Sequence, residues 1–187
     1  MLVFDILCYS IFNMSEFSKN AIISVDDKRG IKRLADGVIE AGWLPFVTDG
    51  TNREYQFRGG PKLMSLADLV VKEQSIEVPG REEVALHVSE LIMQGAVGLA
   101  CVNLRSPRIE LGEDSSKHVR FDRGGVFMIK AAINAGIIVV TNPSMYKDTL
   151  WQIDASPSVD ADFVYELQLK AADHVADHFK TARSLLA

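Results

Sequence analysis

The chain has 187 residues, 48% of them apolar and 24% charged, with a formal net charge of −5; this is enough for one domain with a buried core, at an ordinary globular composition. A chain this acidic has no broad electrostatic footprint for nucleic acid, so nucleic acid is not an expected partner. Its two cysteines, Cys8 and Cys101, form no disulfide framework and suit a reducing, cytoplasmic compartment, with Cys101 read as a small buried hydrophobe.

Residues 1–13 (MLVFDILCYSIFN) are apolar but carry Asp5, and they lack a basic n-region and a small-residue cleavage site. They are too short to span a bilayer, so neither a signal peptide nor a membrane partner is expected. Met14-Ser15-Glu16 reads as a more natural start. Residues 1–19 are therefore set apart as an N-terminal extension, disordered or not native, ahead of a single domain over 20–187.

The domain opens with an apolar, β-branched run at 21–25, which reads as a buried strand. Asp26, Asp27, Lys28, Arg29 and Gly30 turn the chain into a helix with Ile31, Leu34, Ala35, Val38 and Ile39 on one face. Gly42 closes that helix, and 43–47 is a second short strand running into Thr48-Asp49-Gly50-Thr51-Asn52. This is one βαβ unit with small polar loops after both strands. Ligands bind at such carboxyl ends in an open parallel sheet, so the two loops are expected to hold a phosphate.

Residues 53–63 are polar and broken by Gly59-Gly60-Pro61, and read as a loop. Residues 66–71 (LADLVV) read as a short strand and 75–80 as a connector. A helix is expected over 81–94, with Val84, Val88, Leu91 and Ile92 on its buried face and Leu86 off it. A buried strand at 96–102 leads into the loop Asn103-Leu104-Arg105-Ser106-Pro107, and the polar stretch 108–118 reads as a solvent-exposed excursion. Phe121-Asp122-Arg123-Gly124-Gly125 then opens a helix carrying Phe127, Met128, Ala131, Ala132 and Ala135, followed by a strand at 137–141 and a short helix at 144–148. One long helix over 160–186 ends the chain, with Val164, Leu167, Ala171, Val175, Phe179 and Ala182 as its buried stripe. Strands alternating with helices predict an α/β fold: three layers, a mostly parallel sheet with helices on both faces.

Four stretches resemble one family. Ser24-Val25-Asp26-Asp27-Lys28-Arg29-Gly30 is similar to S-V-S-D-K-T-G, and Thr48-Asp49-Gly50-Thr51 to a phosphate loop S-T-G-G-T. Val102-Asn103-Leu104-Arg105-Ser106-Pro107 is similar to C-N-L-Y-P-F. Phe121-Asp122-Arg123-Gly124-Gly125, followed by Met128-Ile129-Lys130-Ala131-Ala132, is similar to I-D-I-G-G with a helix reading I-R-A-A. Together they resemble the IMP cyclohydrolase domain of the bifunctional AICAR transformylase/IMP cyclohydrolase family, over about residues 20–187. That likeness implies a methylglyoxal-synthase-like fold, a homodimer, no cofactor, and a purine nucleotide or precursor (IMP- or AICAR-like) as ligand. It also implies a place in purine nucleotide biosynthesis, closing formyl-AICAR to IMP with loss of water.

Three departures bear on chemistry. The family's tyrosine in C-N-L-Y-P-F is replaced by Arg105, a lysine in the following helix falls on Asn134, and a G-R-V-K-T-L-H-P segment survives only as an echo from Gly80 to His87. The transformylase half has no counterpart in the sequence, so the resemblance implies no folate-dependent formyl transfer.

Ring closure needs a poor amide nucleophile held against the formyl carbon, proton transfers managed, and an oxyanion stabilised. The resemblance offers Asp122, Asn103 and Arg105 as catalytic candidates. Asp122 would orient the carboxamide or relay a proton, or simply cap the helix after it. Asn103 would bind the base or merely close a turn, and Arg105 would replace the tyrosine as donor, bind an anion, or be a solvated loop residue. Ser24, Lys28, Thr48, Gly50, Thr51, Gly124 and Gly125 are the phosphate and nucleotide candidates, against ordinary turn chemistry. Asp49 puts an anion where the family has glycine. His174 and His178 share a helix face, but no third ligand is evident; no metal is expected, and the pair reads as surface or dimer-facing. The alternative function is a catalytically impaired or regulatory domain that binds a phosphorylated metabolite. Methylglyoxal synthase itself is the weaker reading, because its paired aspartate and histidine pattern is not found.

Overall fold

The computed structural model describes residues 18–74, 81–111, 116–155 and 159–186. Residues 1–17 of the extension, Cys8 among them, and the connector at 75–80 lie outside these residues. Five parallel strands form the sheet: β1 (Asn20–Val25), β2 (Leu44–Val47), β3 (Met64–Ser65), β4 (Leu99–Asn103) and β7 (Ile138–Val140), in the order β3-β2-β1-β4-β7. The chain runs outward from β1 to β3, then returns to lay β4 on the other side of β1. The crevice between the carboxyl ends of β1 and β4 is therefore the topological switch point, where open α/β sheets bind ligands.

Both sheet faces are covered, which is why the strands read as continuous apolar runs. On one face Ala21, Ile23, Val25, Val47, Cys101 and Val140 pack under α1 (Ile31–Glu40), α2 (Asp49–Phe57) and α6 (Tyr146–Ala155). On the other, Ile22, Phe46, Ala100, Val102 and Val139 pack under α3 (Leu66–Gln74), α4 (Arg81–Met93) and α5 (Arg123–Asn134). The long α7 (Ala161–Ser184) lies along the β7 edge and serves both cores, Val164 and Leu167 joining the first and Ala171 the second. This is the expected three-layer α/β architecture.

Four elements differ from the sequence reading. The loops expected at 48–52 and 53–63 are largely the helix α2, which starts directly after Thr48. Its sequence, DGTNREYQF, buries only Thr51, Asn52 and Tyr55, too few apolar positions to show a period. Residues 66–71 are helical, not a strand: Leu66, Leu69 and Val70 are buried at helical spacing, a pattern that a six-residue window does not separate from a strand. The excursion after Pro107 is a two-stranded antiparallel ribbon, β5 (Arg108–Leu111) and β6 (Lys117–Arg120), whose residues are mostly exposed. The short helix at 144–148 is a single 3₁₀ turn (Pro143–Met145) running into the ten-residue α6.

Candidate functional site

The β1–α1 turn is held from across the sheet. Asn103 ends β4 directly beside Val25 and is buried, at 6% exposure. Its Oδ1 accepts from the Asp26 N–H and, at 2.9 Å, from the Asp27 N–H, while its Nδ2 donates to the Asp27 carbonyl at 3.3 Å. Gly30, at φ 70°, then enters α1 in the left-handed region, where glycine has no side-chain penalty. Its α-carbon faces the Tyr146 ring, and a Cβ there would lie 3.4 Å from it. The Tyr146 hydroxyl is buried with no well-formed hydrogen bond, and burial raises its pKa.

A second knot joins β1 to α2. The Thr51 hydroxyl, fully buried, accepts from Lys28 Nζ at 3.1 Å and from the Val25 N–H at 3.4 Å, and lies 2.9 Å from the Thr48 hydroxyl. Lys28 Nζ also donates to the Val25 carbonyl. Half-buried, Lys28 has its pKa lowered, first by desolvation. Thr48 occupies the N-cap of α2, but its side chain makes no capping bond. Among the described residues the N–H groups of Asp49 and Gly50 meet no acceptor within the chain. Nothing lies within 4 Å of a Cβ built on Gly50. Gly50 therefore faces open space at a helix N-terminus whose amides and dipole favour an anion.

A third group forms on the other side of the sheet edge. Asp122 is the N-cap of α5: Oδ1 accepts from the Gly125 N–H at 2.9 Å, and Oδ2 from the Arg105 N–H at 3.2 Å. Gly124 and Gly125 are glycines for packing reasons. A Cβ on Gly124 would meet the Ala85 Cβ at 3.0 Å, and one on Gly125 would meet Leu104 Cδ2 at 2.6 Å. Ser24, half-buried, points by strand alternation toward this α5 face, away from Lys28 and Thr51.

The candidate residues thus fall into two groups: Lys28, Thr48, Gly50, Thr51 and Asn103 on the α1/α2 side, and Ser24, Arg105, Asp122, Gly124 and Gly125 on the α5 side. Asp26 and Arg105 bridge them, with Arg105 Nε 3.3 Å from Asp26 Oδ1. These two residues are also departures from the family pattern, aspartate for serine and arginine for tyrosine, and they meet each other across the switch-point crevice.

His174 and His178, expected as a surface or dimer-facing pair, belong to the neighbourhood of the site. The structure turns both inward rather than leaving them as a surface pair. His178 is 7% exposed and packs against the Phe121 and Phe179 rings, each with centroids 6.2 Å away. His174 Nε2 accepts from the Leu104 N–H at 3.3 Å. Burial lowers the pKa of both rings. The signal was present in the stripe itself, since 171, 174, 178 and 182 follow helical spacing on the face that carries Ala171 and Ala182. No group of three metal-ligating side chains occurs among the described residues. Cys101 is fully buried, and burial pushes its thiol pKa up to about 12, which leaves it unreactive.

No family model matches the chain. It is 25% identical over 181 residues to the bifunctional purine biosynthesis protein PurH of Lactococcus lactis subsp. lactis (strain IL1403), covering 86% of this chain and 35% of that protein. With PurH of Deinococcus deserti it shares 30% identity over 149 residues, 69% of this chain and 29% of the relative. The chain therefore spans about a third of the length of these curated relatives. Among solved structures, "Crystal structure of ForH" superposes with a TM-score of 0.72 at 23% identity, covering 91% of this chain and all of that one. That likeness establishes the fold, a methylglyoxal-synthase-like three-layer α/β domain.

Proposed function

We propose that this domain binds a phosphorylated purine nucleotide or precursor at the carboxyl ends of β1, β2 and β4, in a purine-biosynthetic role. One observation carries the reading: the N-terminus of α2 has unmet amides opening at Gly50, beside a half-buried lysine. The distant similarity to the PurH proteins supports a purine precursor rather than another phosphate ester.

The finer form of the proposal is an IMP cyclohydrolase-like activity that closes formyl-AICAR to IMP. Phosphate held at α2 would anchor the substrate, and remote binding energy of this kind can be used to position reacting groups. Arg105 and Asp26 would flank the imidazole carboxamide, with Asp122 as the carboxylate that orients it. A second reading, a binding or regulatory domain without turnover, has its own support. Both carboxylate oxygens of Asp122, and both polar atoms of Asn103, are already engaged by the chain. In either form the protein is expected to be a cytoplasmic homodimer.

The test pairs stability with binding. Gly50→Ala adds a Cβ into empty space on a helix, so the free protein should gain about 0.5–1 kcal/mol. The same Cβ stands where a phosphate would approach, so the rise in Tm that millimolar IMP or AICAR gives the wild type should shrink in the variant. No rise with either nucleotide in the wild type removes the purine reading. Absorbance-monitored cyclisation of formyl-AICAR, with Asp122→Asn as the control that preserves the cap, separates the two forms: turnover at the uncatalysed rate leaves the binding domain.

A further inference from the structure

We infer that His174 is a positioning residue: its neutral Nε2 holds the loop leaving β4, and its protonation releases that loop. The inference deepens the proposed reading of the site, but its first readouts need no ligand.

Three consecutive residues of this loop are each pinned by a different element. Asn103 bonds to the β1–α1 turn, the Leu104 N–H donates to His174 Nε2 on α7 at 3.3 Å, and the Arg105 N–H donates to Asp122 at the head of α5. The first of these bonds uses a carboxamide oxygen, which does not titrate, and the last a carboxylate oxygen. The middle one uses an imidazole nitrogen. An imidazole accepts through Nε2 only when its proton sits on Nδ1, and the imidazolium has no acceptor at all. On protonation, Nε2–H would face Leu104 N–H, donor against donor, and the bond would become a repulsion.

The surroundings allow the proton to arrive. His174 lines an open cleft of about 270 Å³ with Thr141, Asn142, Met145, Lys170, Asp173 and Asp177. On α7 itself the neighbouring His178, Asp173, Asp177 and Lys170 are the charged or titratable groups. From the loop after β4 comes Arg105, whose guanidinium is turned to Asp26, and from the N-cap of α5 comes Asp122, which acts on His178. The residues after β7 that line the cleft bring no charge. Burial and the His178 ring lower the His174 pKa and Asp177 opposes them, so the neutral, holding form prevails at neutral pH.

The consequence for the site is direct. Leu104 sits between the residue that shapes the β1 turn and the residue that bridges the switch-point crevice to Asp26. Loosening its amide loosens both, so ligand affinity should fall on mild acidification beyond what the ligand's own phosphate titration causes.

The experiment uses the full chain. Nitrogen-15 chemical shifts of His174 report the tautomer, and amide exchange reports protection at Leu104 between about pH 7.5 and pH 5.5. We expect Nε2 to be unprotonated at the higher pH, and protection of Leu104 to drop about tenfold more than that of Cys101 as the ring titrates. His174→Gln, which keeps a neutral acceptor, should flatten this dependence, and His174→Phe should show low protection at every pH. IMP titrations of wild type and His174→Gln over the same range should differ in slope by about the same tenfold factor. A proton on Nε2 at neutral pH, or Leu104 protection that ignores the titration of the ring, overturns the proposal. If IMP fails to bind while Leu104 protection follows His174, the positioning role stands and the nucleotide reading falls.

Discussion

A carboxamide can meet two amides and a carbonyl at once, and Asn103 uses that capacity in full on the turn after β1. Asn103→Ala strips the turn of its cross-sheet anchor and leaves a buried site without a partner. We expect a loss of about 1–3 kcal/mol, read from the urea midpoint. A midpoint within error of wild type would mean that water replaces the side chain. The sequence placed Asn103 after a buried strand, at a family-like position, and left base binding and turn closure both open. The geometry supplies the turn closure, because the partner amides lie 76 and 77 residues away in sequence and no local pattern encodes them. The same holds for Asp122. Its capping of α5 was legible from Asp-x-Gly-Gly, whereas its second bond, to the Arg105 amide, depends on how the loop after β4 folds back.

Helix α3 shows a local signal that the apolar run concealed. Ser65 and Asp68 form a reciprocal capping box: the Ser65 hydroxyl accepts from the Asp68 N–H at 3.1 Å, and the Asp68 carboxylate accepts from the Ser65 N–H at 2.6 Å. Ser-x-x-Asp ahead of apolar residues is a helix start, and it outweighs the β-like look of LADLVV. Ser65→Ala should cost about 1 kcal/mol and Ser65→Thr much less, measured as thermal midpoints. Equal losses in the two variants would show that the box does not hold the helix. Helix α2 offers no comparable local signal. Thr48 does not cap it, and it is secured through Asn52, which exchanges hydrogen bonds with the Leu63 backbone at 2.8 and 3.1 Å, and through Tyr55, whose hydroxyl donates to Asp36 at 2.6 Å. Those contacts are tertiary, which is why a run of polar residues with one tyrosine reads as loop.

At the scale of the whole molecule, the inward-facing histidines tie stability to pH. Burial holds both imidazoles below the ordinary histidine pKa, so the unfolded chain binds more protons on the acid side. The stability gained by keeping the rings neutral is complete above about pH 6.5 and is lost as pH falls from there toward the depressed folded values. Urea midpoints should therefore drop between about pH 7 and pH 5, and the drop should be smaller in His174→Gln. A flat wild-type profile over that interval would show that the rings titrate alike in both states. The sequence by itself determined the layer architecture, because strands buried on both faces must be apolar throughout and a helix packed on a sheet commonly shows an apolar stripe, α2 being the exception. It also determined the small polar turn after β1, but not the helix that replaces the loop expected after β2. Tertiary structure alone decided which distant residues meet there: Lys28 and Thr51, Asn103 and the Asp26 and Asp27 amides, Arg105 and Asp26, His174 and Leu104. Hydrogen bonds need partners within about 3 Å, and only the closed sheet brings residues so distant in sequence that close. The amides at the head of α2 and Lys28, where phosphate binding is proposed, lie within the stretch 21–52, whereas the crevice beside them is shaped by residues outside it, Asn103, Arg105 and Asp122.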